Sequence, residues 1–112
     1  MANQEDFYQN VYEVVKLIPF GRVTSYGAIA NYLGAKRSSR VVGWALNSSH
    51  KNSIAIPAHR VVNRLGLLSG KHHFQTPNLM EERLLSEGHV IVNDQIQNFD
   101  AVFWDPASAL SL

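Results

Sequence analysis

Apolar residues return at helical spacing near the start of the chain. Phe7, Val11, Val14, Val15 and Ile18 share one face and predict an amphipathic helix from about Asp6 to Leu17. "IPFG" ends it, because Pro19 and Gly21 both oppose continuation. Thr24 or Ser25 is placed to cap a second helix over about Tyr26 to Leu33, with Gly34 as its left-handed stop. "AKRSS" is a short basic turn, after which Ser38 or Ser39 caps a third helix over about Ser39 to Leu46. "NSSHKNS" then reads as a polar loop, and "IAI" and "RVV" as short β-type segments around Pro57. "NRLG" turns, and "LLSGKHHF" forms a wing or a site loop. Thr76 caps a fourth helix with Pro77 at its first position, Gly88 as its stop, and Leu79, Leu84 and Leu85 on its buried side. The tail, "VIVNDQIQNFDAVFWDP", reads as a hairpin turning at Asn93-Asp94, followed by an aromatic segment.

Composition narrows the class. The 112 residues fit one domain, 1–112, with one modest core. The 46% hydrophobic and 17% charged residues are an ordinary globular balance and argue against disorder. "MANQEDFYQN" is polar and acidic, unlike a signal peptide, and no apolar run approaches the ~20 residues of a membrane helix. A soluble, cytoplasmic monomer away from membranes is the expectation. The absence of cysteine excludes disulfides and thiolate chemistry and removes the usual zinc motifs. The five histidines form no H-x-x-x-H pair, so neither a metal nor another cofactor is expected.

Charge is where the chain departs from the ordinary. Net charge is only +1, yet every Asp and Glu lies before Val14 or after Met80. Between them stand nine of the ten Lys and Arg. A solvated face is the usual meaning of a charge run. Exclusion of acid over so long a stretch favours a surface for a polyanion. The second and third helices, joined by a tight turn with the latter opening on a basic residue, have the outline of a helix-turn-helix.

The chemistry is concentrated in "IPAHRVV", where inert Ala58 sits between Pro57 and the pair His59-Arg60. With "IPFGRVTSYGAIA", "SSRVVGWAL", "GLLSG" and "LLSEG" in order around it, the chain from about Phe7 to Gly88 resembles the C-terminal domain of the O6-alkylguanine-DNA alkyltransferases. In that family the middle motif is Pro-Cys-His-Arg, and its cysteine accepts the alkyl group. With Ala58 at that position, the chain is similar to the alkyltransferase-like branch, which lacks the acceptor and whose members pass the lesion to nucleotide excision repair. The closing "FDAVFWDP" also resembles that branch.

The resemblance implies a fold that is mainly α with short β segments, a winged helix-turn-helix-like DNA-binding domain. It implies binding of duplex DNA through the minor groove, flipping of an O6-alkylguanine, no chemistry, and nucleotide excision repair proteins as partners. Residue by residue, it makes Tyr26 the side chain that turns the target nucleotide and Arg40 the finger that fills the vacated stack. Gly43 allows close approach to the duplex or, equally, close helix packing. Trp44 is expected in the core. Pro57, Ala58 and His59 form the pocket floor, Val61 and Val62 its apolar wall, and Ser69 and Lys71 its mobile wall. His59 and Glu87 match the base and its orienting carboxylate, left without a nucleophile. Arg60 holds the loop or a phosphate.

Two features depart from the family pattern. "NSSHKNS" is one residue longer than usual, leaving Asn47 and Asn52 as candidates for a hinge asparagine, and Lys71 stands where the enzymes carry tyrosine. Two other functions remain in view. One is hydrolytic removal of the alkyl group by water activated at His59. The other is sequence-specific regulation through the helix-turn-helix, reading base edges with the segment from Arg37 to Leu46.

Overall fold

A computed structural model describes residues 4–110 of the chain. Helix α1, Gln4–Lys16, buries Val11, Val14 and Val15 on the expected stripe, and Ile18 follows in the closing turn. Gly21 then takes a left-handed conformation, φ +82°, which lets the chain reverse into strand β1, Thr24–Ser25. Ser25 caps α2, Tyr26–Tyr32, by accepting from the Ala28 N–H at 3.1 Å. Gly34, φ +76°, stops it as expected. Helix α3, Ser39–Lys51, packs closely on α2, completing the helix-turn-helix.

The third helix runs further than the expected end at Leu46, because the polar run after it is helical. Ser49 is buried and its hydroxyl donates to the Leu46 carbonyl at 2.6 Å. That bond satisfies the side chain inside the helix instead of breaking it. The Asn52 amide donates to the Ser48 carbonyl and hydroxyl, both at 3.0 Å, and ends the helix one turn after the expected loop had begun. Only Asn52 and Ser53 remain as a turn.

The chain then crosses to a 3-10 turn, Ala58–Arg60, and strand β2, Val61–Val62. "IAI" forms no strand, and Arg60 belongs to the turn, so the expected β segments reduce to Val61 and Val62. Strand β2 runs parallel to β1, pairing Thr24 with Val61 and Ser25 with Val62. This short pair positions the site. Before it, the turn after α1 meets the 3-10 turn, where Arg60 donates to the Ile18 carbonyl. After it, Tyr26 opens α2 beside the loop at Ser69 and Gly70.

A second 3-10 turn, Lys71–His73, leads to α4, Leu79–Ser86. This helix starts later than expected, with Asn78 at the N-cap and Pro77 in the preceding turn. Its buried residues are Met80 and Leu84, while Leu85 is exposed. Gly88, φ +93°, ends it as expected. Strands β3, Ile91–Val92, and β4, Gln95–Ile96, form an antiparallel hairpin whose two turn residues, Asn93 and Asp94, both have positive φ. That is the backbone a two-residue hairpin demands. The aromatic tail, expected only as a segment, folds into two short helices, α5, Phe99–Val102, and α6, Pro106–Ala109. Between them the Trp104 backbone N–H donates to the Val23 carbonyl at 2.7 Å, and α6 lies against α2. The architecture is mainly helical with short strands, a winged helix-turn-helix-like domain. No helix among the described residues is long and apolar enough to cross a membrane.

Candidate nucleic-acid interface

His59 and Glu87 meet across the fold. His59 Nε2 lies 2.6 Å from Glu87 Oε2, and both side chains are almost fully buried. A carboxylate can only accept, so this contact puts the ring proton on Nε2 and leaves Nδ1 as a bare acceptor. Nδ1 is buried and has no partner among the described residues. Burial lowers the His59 pKa below the usual imidazole value; Glu87 opposes that, while the Arg60 and Arg83 cations add to it. The ring is therefore neutral at neutral pH.

Glu87 is the hub of the cluster. Arg60 Nε reaches both its oxygens at 3.0 and 3.1 Å, Arg60 Nη2 reaches Oε2 at 2.9 Å, and the Gly21 N–H reaches Oε1 at 2.9 Å. Burial acts to raise its pKa, but the bonds from Arg60, Gly21 and His59 outweigh this and hold it at about 2. Arg60 Nη1 donates to the Ile18 carbonyl at 2.8 Å, and the guanidinium lies 5.8 Å from the centre of the Phe20 ring. These bonds hold the loop together.

Ala58 lines a cavity of about 340 Å³. Its walls come from α3 (Ser49, His50), the crossing segment (Ile54, Ile56), Phe74, and α4 (Leu79, Arg83). His59 is turned to Glu87, and neither it nor Pro57 is among the residues that line this cavity. Val61 and Val62 are not among them either. Both are fully buried in β2 against the core. His50, Phe74 and Arg83 escaped the sequence reading because two elements distant in sequence bring them to Ala58. The only hint was a lone arginine in an otherwise acidic helix.

Next to this cavity, α2 and α3 share a shallow recess lined by Tyr26, Ser39, Arg40, Gly43, Trp44 and Asn47. Arg40 is exposed and makes no ion pair with any described residue. Gly43 faces open space: a Cβ there would meet nothing within 4 Å, so close helix packing is not its role. Trp44 is 48% exposed, contrary to the expected core position. The buried stripe of α3 is Val42, Ala45, Leu46 and Ser49, and Trp44 lies off it. Asn47 lies in the recess, whereas Asn52 is used as the end-cap of α3. From Arg40 to Ser49 the helix advances about 13 Å at about 1.5 Å per residue. One element therefore connects the open recess to the cavity over Ala58.

Tyr26 is half-buried and hydrogen-bonded to Ser69; burial raises its pKa, and the Ser69 bond only partly counters this. Its hydroxyl lies where a Cβ on Gly70 would approach to 2.8 Å. Lys71 bonds Asp94 at the hairpin turn, 2.5 Å Nζ to Oδ2, so its charge is neutralised within the protein. The sequence assigned Lys71 to the mobile wall but not its partner. No group of three His, Asp or Glu among the described residues is placed to hold a metal ion.

The geometry can be set beside known proteins. Residues 6–89 match the family described as 6-O-methylguanine DNA methyltransferase, DNA binding domain. Alkyltransferase-like protein 1 of Schizosaccharomyces pombe is 33% identical over 91% of this chain and 97% of its own length. A DNA base-flipping protein of Escherichia coli is 39% identical over 81% of this chain and 68% of its own. The crystal structure of the S. pombe protein in complex with damaged DNA containing O6-carboxymethylguanine superposes with a TM-score of 0.80 at 34% identity, over 95% of this chain and all of that one. The Mycobacterium tuberculosis O6-methylguanine methyltransferase, 36% identical, matches with a TM-score of 0.57 over 73% of this chain but 48% of its own. The chain belongs to the methyltransferase DNA-binding-domain family, and with Ala58 and no cysteine anywhere it is an alkyltransferase-like protein that has lost the alkyl acceptor.

Proposed function

We propose that this protein recognises O6-alkylguanine in duplex DNA without altering it. One observation carries the reading. The cavity over Ala58 retains the buried His59–Glu87 pair behind it, yet presents a methyl group where a nucleophile would stand. A site that holds an alkylated base and has no bond-forming group is a reader. The acid-free stretch from Val14 to Met80 supplies salt-dependent attraction to the phosphates. In this reading Tyr26 and Arg40, which line the recess on α2 and α3, extrude the base and fill its space. Filling the gap offsets part of an unstacking cost of a few kcal/mol. The DNA-bound structures of the S. pombe relative and the base-flipping E. coli relative support this reading. The flipped, occupied lesion is then the signal for nucleotide excision repair proteins.

The test uses duplexes of one sequence bearing guanine, O6-methylguanine or a bulkier O6-alkylguanine. Tighter binding of the modified duplexes, with the modified base recovered unchanged after long incubation, is the expected result. Equal affinity for all three would favour a sequence-reading regulator, and turnover of the lesion would favour a hydrolase.

A further inference from the structure

The cavity over Ala58 gathers three cationic or protonatable groups from three elements: His50 on α3, His73 in the second 3-10 turn and Arg83 on α4. No carboxylate lines it. His50 and His73 also line a second recess, of about 490 Å³, with Asn47, Lys51 and His72, again without an acid. The nearby acids are committed or face elsewhere. Glu87 is held by Arg60, His59 and Gly21, and Asp94 by Lys71. Glu81 and Glu82 on α4 line neither recess.

Phe74 fixes two of the three groups in place. The His50 ring meets it edge-on at 4.3 Å between centroids, and the Arg83 guanidinium lies 6.0 Å from its centre. Burial lowers the His50 pKa, and His73 and Arg83 add to this. The Arg83 cation thus stands beside two imidazoles with no acid among the residues lining the cavity, an arrangement that suits an incoming anion.

We infer that this cavity selects O6-substituents that end in a negative charge, such as a carboxylate, over neutral substituents of the same size, and that His50 strengthens the selection as pH falls. The inference rests on the reading that a flipped O6-alkylguanine enters above Ala58. An anion in the cavity stabilises the protonated His50 imidazole, so its binding takes up a proton. Affinity for the charged adduct therefore falls as pH rises through the imidazole range. Arg83 keeps its charge throughout and sets the selection that remains at alkaline pH. His59 stays paired to Glu87 and Lys71 to Asp94, and neither is needed.

The experiment measures affinities of the full chain, at fixed ionic strength, for duplexes of one sequence. These carry guanine, O6-methylguanine, O6-carboxymethylguanine or its neutral isostere O6-carbamoylmethylguanine. At about pH 5.5 the carboxymethyl duplex is expected to bind roughly tenfold tighter than the carbamoylmethyl one, and at about pH 8 roughly threefold or less. His50→Gln should remove the pH dependence; Arg83→Gln should reduce the selection at both pH values. The wild-type profile decides the matter even if a variant fails to fold. Equal affinity for the charged and neutral adducts at both pH values overturns the inference while leaving lesion recognition intact. A pH dependence shared by the unmodified duplex assigns His50 to backbone phosphates and also overturns it. If no modified duplex is preferred over guanine, lesion recognition itself fails, and this selection with it.

Discussion

His59 Nε2 and Glu87 Oε2 lie 2.6 Å apart in a chain with no thiol for them to activate. The pair persists because Glu87 has other work. It ties the turn after α1, through Gly21, to the 3-10 turn, through His59 and Arg60. Removing either partner of such a buried set leaves the other unsatisfied.

Glu87→Gln should therefore destabilise the fold by about 2–4 kcal/mol at neutral pH, since a neutral amide cannot balance Arg60. Glu87 is held at about 2 against an ordinary 4.5, a depressed value. Its contribution is full above the unfolded value and is lost as pH falls through the folded one. Urea unfolding of wild type and variant should show a stability difference that is constant near neutrality. It should shrink as the pH is taken from about 4.5 towards about 2. A difference independent of pH across that window would remove the charge from the explanation.

Ala58→Cys should restore slow alkyl transfer. The new thiol would sit beside a neutral imidazole whose Nδ1 is buried and unpartnered. Such a nitrogen can take the thiol proton, and the thiolate is the nucleophile. In the transfer, sulfur bonds to the methyl carbon, the bond from that carbon to O6 breaks, and guanine leaves. Misplacement of the lesion by about 1 Å would cost roughly a hundredfold in rate, so the variant should be slow beside a true enzyme. Intact-protein mass after incubation with O6-methylguanine DNA should show one added CH2 on residue 58. Tight lesion binding with no mass change would mean that the cavity recognises the base without aligning it.

Trp44→Ala should weaken DNA binding and leave stability nearly unchanged. A core tryptophan would cost about 3–5 kcal/mol on truncation. Trp44 is half-exposed, beside Arg40 and Asn47, and has little packing to lose. Unfolding midpoints and duplex affinity, measured on one preparation, separate the two effects. A large stability loss with intact binding would return Trp44 to the core.

Trp44 also shows what the sequence does and does not disclose. Its exposure was legible: Val42, Ala45, Leu46 and Ser49 keep helical spacing, and Trp44 falls outside it. Residue type suggests the core for a tryptophan, and the helical period puts this one outside it. Local signals with a single backbone meaning were legible throughout, as at Ser25, Gly34, Gly88 and Asn93-Asp94. The end of α3 was not, because Ser49 has two uses. A serine that bonds back to Leu46 continues a helix that serine usually interrupts. His59 and Glu87 were paired only through family resemblance, since no spacing rule joins residues 28 positions apart. The Arg60 fork, the Lys71–Asp94 pair and the Phe74 wall are products of tertiary folding and have no local signature.

Arg40→Ala should weaken binding to lesion DNA more than to undamaged DNA. The side chain is exposed at the recess and has no ion-pair partner among the described residues. Loss of the finger should cost roughly tenfold or more on the lesion duplex, a share of the few kcal/mol that flipping requires. Equal losses on both duplexes, with a smaller salt slope, would make Arg40 a phosphate contact.

Gly70→Ala should act through Tyr26. Gly70 has an ordinary φ of −92°, so the backbone itself accepts alanine. The obstacle is the Tyr26 hydroxyl, 2.8 Å from the position of the new Cβ, too close for either group to stay where it is. The tyrosine is half-buried and bonded to Ser69, so displacing it also breaks that bond. Gly70→Ala should therefore reduce base extrusion, reported by a fluorescent base analogue at the lesion, and lower stability by about 1 kcal/mol. Tyr26→Phe removes the clashing oxygen. Adding Gly70→Ala to it should then change little, giving a coupling of about 1 kcal/mol in the double-mutant cycle. Strict additivity of the two substitutions, in stability and in extrusion, would show that Tyr26 and Gly70 do not touch. The effect of either on flipping would then have to be sought in the DNA contact itself.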